Sequence, residues 1–306
     1  KFVGRKNSMA SLMDAYERAE AGSGKVVGMV GEAGVGKSRL LWEFRNRLAQ
    51  DKVTCLEGRC LHYGASMPYL PILDILRSHF ELREEDREFV LQKKLKQGLR
   101  QLDENLHTDL PSFQDLLSLP VEDREYLNLE PKEKKERNFE AIRNLLIQEG
   151  RKKTVIVAIE DLHWIDTTSE EFLNYFIGFL THSRILLILL YRPEYTHQWA
   201  GKSYYEHIGL GQLTLKSSAE LVQGILEGGE IVPELKDLIL QRAAGNPLFM
   251  EELTHALLEN GVIEHRDRQY VLNRRPSQIQ VPDTIQGIIA ARIDRLDETL
   301  KQIMQV

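Results

Sequence analysis

Cysteine is nearly absent from this chain: its 306 residues include two, Cys55 and Cys60. Two thiols build no disulfide framework, and with only His62 nearby they fall short of a metal-ligand set. They read as buried thiols on or beside a strand. Long apolar runs are missing too. The longest, Ile185-Leu186-Leu187-Ile188-Leu189-Leu190, is far shorter than the roughly 20 residues of a membrane-spanning helix, so no membrane partner is expected. Basic excess is lacking. A net charge of −6 and a pI near 5.9 weigh against a broadly basic nucleic-acid binder. Repeats and low-complexity tracts do not occur. The chain opens at Lys1-Phe2-Val3-Gly4-Arg5 without an initiator Met or a signal-peptide pattern. It stops inside the amphipathic run Leu300-Lys301-Gln302-Ile303-Met304-Gln305-Val306. The expectation is a cytoplasmic piece cut from a longer protein. The length exceeds what one apolar core usually supports, which favours two packed units.

Short apolar runs alternate with helical patterns, which suggests a parallel sheet with crossover helices. Candidate strands in chain order are Lys25–Val30, Val53–Glu57, Thr154–Ile159, Ile185–Tyr191 and a weaker Glu206–Leu210. The first four are rich in Val, Ile and Leu without polar alternation, as strands covered on both faces should be. A helix is expected from Lys37 to about Ala49. Between the second and third strands a detour of about 64–151 carries Pro68, Pro71, Pro111, Pro120 and Pro131, with amphipathic helices at Glu84–Leu102 and Lys132–Glu149. It suits a lid, a partner surface or packing equally well. Within it Lys132–Arg137 is a charge run that reads as a solvated helix face. From Thr214 the strand signal fades. Helical periodicity covers Ser217–Leu226, Pro233–Ala244, Pro247–Asn260 and Pro282–Leu296, interrupted by a β-hairpin at about 262–272 turning at Arg266–Arg268. The expected organisation is an α/β core over 1–211 and a mostly helical domain over 212–306.

What the chain does have is a complete phosphate-binding loop, Gly31-Glu32-Ala33-Gly34-Val35-Gly36-Lys37-Ser38, between the first strand and the helix that follows. Glycines let the backbone wrap closely, so that N–H groups and a helix N-terminus face phosphate oxygens. Lys37 supplies a point charge to the outer phosphates, and the Ser38 hydroxyl completes a Mg²⁺ shell.

The third strand runs directly into Glu160-Asp161-Leu162-His163-Trp164-Ile165-Asp166. Carboxylates at the carboxyl end of a buried strand sit where open α/β sheets bind ligands. Glu160 is assigned to the metal and Asp161 to the attacking water, and the reversed order stays open. Asp166, followed by Thr167, Thr168 and Ser169, reads as a helix cap. Arg192, at the end of the fourth strand, is placed to read the terminal phosphate; its plain alternative is a surface arginine in a turn. His163 and Trp164 read as packing, since no second His lies at ligand spacing.

Phe2-Val3-Gly4-Arg5, the phosphate loop, Ile159–Asp166, Tyr191-Arg192-Pro193-Glu194 and Ala244-Gly245-Asn246-Pro247-Leu248-Phe249 occur in this order. The set resembles the AAA-type ATPase modules of the STAND class, signal-transduction ATPases with numerous domains. The likeness is to the versions found beside bacterial class III adenylate/guanylate cyclases, LuxR-type regulators or kinases. The resemblance implies a P-loop NTPase core with a parallel sheet ordered 5-1-4-3-2, and a helical lid over the nucleotide. It also implies that Phe2, Val3, Gly4 and Arg5 line the adenine and sugar, and that Gly31 to Arg39 surround the phosphates. Glu160 and Asp161 form the Walker B pair, Arg192 is the sensor, and Pro247 brings the lid against the base. Pro247 also suits the first position of a helix capped by Asn246. Many relatives in the wider superfamily carry Asp where this chain has Glu160. Arg242, Arg292 and Arg295 are candidates for an arginine finger. Pro282–Leu296 resembles the passage toward a winged helix.

The resulting expectation is an ATP/ADP-binding, Mg²⁺-dependent, slowly hydrolysing switch with appended cyclase, HTH or kinase output domains and possible self-association. The alternative is a DNA-engaging AAA+ ATPase of the origin-recognition kind. That reading needs a basic DNA-facing surface, with Arg266, Arg268, Arg274 and Arg275 as its source. A small-molecule phosphoryl transferase would need an acceptor pocket that the sequence does not suggest.

Overall fold

Apolar runs without polar alternation require cover on both faces, and the sheet supplies it. The computed structural model describes residues 2–49, 51–64, 67–227, 229–266 and 269–273, with 284, 287 and 290 singly. Strands β1 (Lys25–Val30), β2 (Val53–Arg59), β3 (Thr154–Glu160), β4 (Ile185–Tyr191) and β5 (Tyr205–Gly209) form one sheet, ordered β2-β3-β4-β1-β5. This is the expected 5-1-4-3-2 order, and every pairing is parallel. The α/β P-loop NTPase-like fold is thereby established for this part of the chain. Central β4 is buried along its whole length. Edge strand β5 buries only Ile208, its other residues being half-exposed or exposed, which explains why its sequence signal is weak.

The described chain divides into two compact units. The larger comprises Ser8–Gly31 and Ser38–Gly209. It contains the five-stranded sheet, most of α1 (Lys6–Glu20) and of α2 (Lys37–Arg45), and the helices between β2 and β3. Helix α2 stops at Arg45, short of the expected Ala49, because Arg47 and Leu48 donate to the carbonyls of Phe44 and Arg45 three residues back. That tightened turn ends the regular helix.

The detour folds into α3 (Leu70–His79), α4 (Glu88–Leu102), a 3₁₀ turn, α5 (Leu110–Leu116), α6 (Arg124–Leu127) and α7 (Pro131–Lys152). Ile75, Leu95, Phe113, Ile142 and Leu145 from these helices lie in the same buried cluster as Val157 of β3 and Leu187 of β4. Of the three uses considered for the detour, packing is therefore present. Truncating one such fully buried Leu or Phe to Ala costs about 2–5 kcal/mol. After β3, a 3₁₀ turn (Leu162–Trp164) leads to α8 (Thr167–Ile177). Asp166 caps α8, its side chain accepting from the Ser169 N–H at 2.9 Å, as its sequence position suggests.

The smaller unit comprises the described residues of Lys1–Asn7, Glu32–Lys37 and Leu210–Val306. Helices α9 (Leu215–Ile225), α10 (Pro233–Ala243) and α11 (Pro247–Glu259) enclose their own core of Val222, Leu235, Ile239, Met250 and Leu253. Beside them β6 (Glu230–Ile231), β8 (Gln269–Leu272) and β7 (Ile263–Arg266) form a small sheet. Strands β7 and β8 pair antiparallel, with Ile263 opposite Leu272. Strand β6 is too short to leave a periodic signal. Arg268, at the expected hairpin turn, lies outside the described residues. So do Arg274, Arg275, Arg292 and Arg295, and most of Pro282–Leu296.

Candidate nucleotide site

A parallel sheet gathers the carboxyl ends of its strands along one edge. In the larger unit, β1 ends at Val30, β3 at Glu160 and β4 at Tyr191. Gly31, the first loop residue, donates its N–H to the Tyr191 carbonyl at 3.3 Å, next to Arg192. Ser38, the last loop residue, donates its hydroxyl to the Glu160 carboxylate. The Glu160 side chain is 12% exposed, and its other oxygen lies 3.6 Å from the Arg59 guanidinium. Hydroxyl and carboxylate oxygens are the hard donors that suit Mg²⁺. No cluster of three or more His, Cys, Asp or Glu side chains able to hold a metal exists among the described residues. An ion at Ser38 and Glu160 would therefore take its remaining ligands from phosphate oxygens and water, as Mg²⁺ commonly does.

Asp161 adopts the left-handed conformation, φ 54 and ψ 39, and its carbonyl accepts the Trp164 N–H at 2.9 Å to open the 3₁₀ turn. Asp, like Asn, tolerates this region better than most non-glycine residues. The turn brings the Trp164 ring to 5.4 Å from the Arg192 guanidinium. Glu194 approaches Arg192 at 4.0 Å. His163 lies against Trp164, with ring centroids 4.5 Å apart. The Cys60 N–H donates to the Glu160 carbonyl at 3.0 Å. Burial first, then the Asp166, Asp161 and Asp74 carboxylates, push the Cys60 thiol well above its ordinary range, which makes it a packing group and not a nucleophile.

In the smaller unit, Gly34 (φ 77) and Gly36 (φ 96) take left-handed conformations that the wrap of Glu32–Lys37 requires. Lys37 begins α2, and its Nζ donates to the Glu32 carbonyl at 3.1 Å. Arg5 donates to the Val35 carbonyl at 2.9 Å and to that of Gly211 at 2.6 Å. Val3 packs on the core that includes Val222 and Phe249. A Cβ on Gly4 would lie 2.7 Å from Ser217 Oγ. Pro247 occupies the start of α11, and Asn246 caps it, accepting from the Phe249 N–H at 3.2 Å. The Asn246 amide also donates to the Ala33 carbonyl at 2.9 Å, and the Leu248 N–H donates to Gly34 at 3.2 Å. These last contacts are not evident in the sequence. Arg39 turns to Glu43 at 2.8 Å and lies 4.9 Å over Trp42, on the surface of its own helix.

Comparison with known proteins gives the following. The family described as AAA ATPase domain matches residues 1–188, and one described as a domain of unknown function matches 215–269. An uncharacterized protein of Rhizobium meliloti (strain 1021) is 25% identical over 304 residues, covering 96% of this chain and 28% of that protein. The chain thus spans under a third of this relative's length. Among solved structures, Drosophila ORC bound to DNA is similar with TM-score 0.54 at 12% identity, covering 100% of this chain and 67% of that one; this likeness concerns the fold alone. A STAND protein with a tetratricopeptide repeat sensor from Pyrococcus horikoshii is similar with TM-score 0.46 at 15% identity, over 97% of this chain and 33% of that one.

Proposed function

Because the chain belongs to the AAA ATPase domain family, we propose that it is the ATP-binding, slowly hydrolysing switch module of a larger multidomain protein. Residues 1–211 form the catalytic core in this reading, and 212–306 form the lid whose state appended cyclase, HTH or kinase domains read, with self-association as a further output. The observation that carries it is the meeting of Ser38 with Glu160 at the carboxyl end of β3, immediately before Asp161. A hydroxyl and a carboxylate held together at the end of a phosphate loop have the chemistry of a Mg²⁺–nucleotide site.

In this account the loop N–H groups and Lys37 hold the phosphates. Ser38 and Glu160 would hold Mg²⁺, which when bound would offset charge on the outer phosphates. Asp161 orients a water for attack and accepts its proton, and its backbone conformation fixes where the carboxylate starts. Arg192, braced over Trp164, supplies positive charge at the terminal phosphate. Val3, Gly4, Arg5 and Pro247 serve the base and sugar. Slow turnover suits a switch, because its output is a conformation and not a product. Arg242, a candidate arginine finger, lies in the last turn of α10, and Arg292 and Arg295 fall outside the described residues.

Titration of the chain with ATP, with and without Mg²⁺, together with phosphate release, tests the reading. Mg²⁺-enhanced binding with turnover well below about 1 s⁻¹, the low end of typical enzymes, supports it. Absence of ATP binding defeats it. The DNA-engaging reading draws on the fold shared with the DNA-bound ORC structure. Against it, Arg266 of the hairpin is already paired with Glu264 at 2.7 Å. Submicromolar, salt-sensitive binding of a short duplex would favour that reading instead.

A further inference from the structure

A loop that turns its N–H groups toward an anion turns its carbonyls the other way, and those carbonyls need donors of their own. Here each successive one has a donor. Glu32 accepts from Lys37 Nζ at 3.1 Å and Ala33 from Asn246 Nδ2 at 2.9 Å. Gly34 accepts from the Leu248 N–H at 3.2 Å and Val35 from Arg5 Nη2 at 2.9 Å. The Asn246 amide abuts the loop backbone so closely that a Cβ on Gly34 would lie 2.7 Å from its Oδ1.

We propose that Asn246 is a positioning residue for the phosphate loop, its side-chain amide holding the Ala33 carbonyl outward so that the loop keeps its anion-binding shape. The inference rests on the nucleotide-binding reading above. Both ends of the Asn246 amide are in use: Oδ1 accepts from the Phe249 N–H at 3.2 Å, and Nδ2 donates to Ala33. Reversing the amide would set oxygen against carbonyl and N–H against N–H, so the network fixes its orientation. Capping α11 does not by itself ask for Asn, because Ser and Asp cap a helix as well. Donation to Ala33 does ask for it. Asp has no N–H, and Ser is too short to replace the amide at that carbonyl. A carbonyl released from its donor is free to rotate toward the phosphates, where its dipole opposes binding.

The test uses the whole chain with Asn246→Ser, which is neutral, and Asn246→Asp, which is isosteric. Thermal unfolding without ligand is measured alongside displacement of a fluorescent ATP analogue by ATP, inorganic tripolyphosphate and adenosine. Asn246→Ser is expected to weaken ATP and tripolyphosphate about threefold to tenfold, the loss of one hydrogen bond. Asn246→Asp should weaken both by tenfold or more, since it adds repulsion at the carbonyl. Adenosine displacement and ligand-free unfolding should stay unchanged. Tripolyphosphate binding within twofold of the parent chain in the Ser variant would overturn the proposal, as would an equal loss for adenosine. Lys37→Ala, run in parallel, separates the two levels: tripolyphosphate binding that survives it defeats the phosphate-loop reading itself, whatever Asn246 does.

Discussion

Replacing Asp161 by Asn separates the two jobs done at the end of β3. The backbone there sits at φ 54, ψ 39, a region that costs most L-residues about 1–2 kcal/mol but that Asn enters at least as readily as Asp. Asp161→Asn therefore keeps the 3₁₀ turn and, with it, Trp164 beneath Arg192. What it removes is the carboxylate that accepts a proton from the attacking water. Loss of a positioned general base lowers the rate about 10²- to 10⁴-fold. Single-turnover phosphate release with the protein in excess should fall by about that factor, while the affinity for Mg·ATP stays within about threefold because no phosphate contact is lost. Asp161→Ala should be as slow and, in addition, about 1 kcal/mol less stable by denaturant unfolding, the strain that Asn avoids. An Asn variant that hydrolyses at the parent rate would remove Asp161 from the chemistry. An Ala variant as stable as the Asn variant would refute the backbone argument. Loss of Mg²⁺ dependence in Asp161→Asn, with its retention in Glu160→Gln, would reverse the two roles.

Glu160→Gln should abolish the enhancement of ATP binding by Mg²⁺ while leaving metal-free binding and stability nearly unchanged. The Arg59 partner it loses is 62% exposed, so that ion pair contributes under about 1 kcal/mol. Retained Mg²⁺ enhancement would place the ion elsewhere. In the segment after β4, His197 Nε2 lies 2.7 Å from the Tyr191 hydroxyl and 3.1 Å from that of Tyr205. Burial, then His207, lower its pKa from the ordinary 6.5. The unfolded chain thus binds the proton more readily, so this group's contribution to stability is full above about pH 6.5 and is lost as pH falls through the lowered folded value. Midpoints of urea unfolding should drop between neutral pH and about pH 5, and should drop less in His197→Gln. Equal slopes for the two chains would count against this assignment.

The sheet was legible because both of its faces are covered: four apolar runs, from Lys25, Val53, Thr154 and Ile185, begin where the strands begin. Edge strand β5 was weaker because its half-exposed residues carry polar side chains. Helices α3, α5 and α6 were missed since each is short and lies among prolines, leaving little period to read. Of the site, the loop and the carboxylate pair stood out because their residue types are unusual at strand ends. Ser38 and Glu160 were legible as two hard-oxygen donors for one ion; the hydrogen bond between them, 122 residues apart in the chain, was not. The donors to the loop carbonyls were not. Asn246 is 213 residues from Ala33, and Arg5 is 30 from Val35. A sequence shows that loop carbonyls need partners without showing which distant side chain supplies them. Arg39 illustrates the converse. The family resemblance implies a place for it beside the phosphates, and what its sequence position does not show is that its guanidinium meets Glu43 one helical turn away and the Trp42 face.

Lys37→Ala, compared with the parent chain by calorimetric titration with Mg·ATP, tests the central claim most directly. Its Nζ bond to the Glu32 carbonyl is exposed, so stability should change by under about 1 kcal/mol. Loss of its charge-assisted contacts with the phosphates should weaken affinity at least about 100-fold, an effect of some 3 kcal/mol. A folded parent chain that binds Mg·ATP and a folded Lys37→Ala that does not is the result this account requires. Equal affinity in the two chains, or no binding by either, would contradict it.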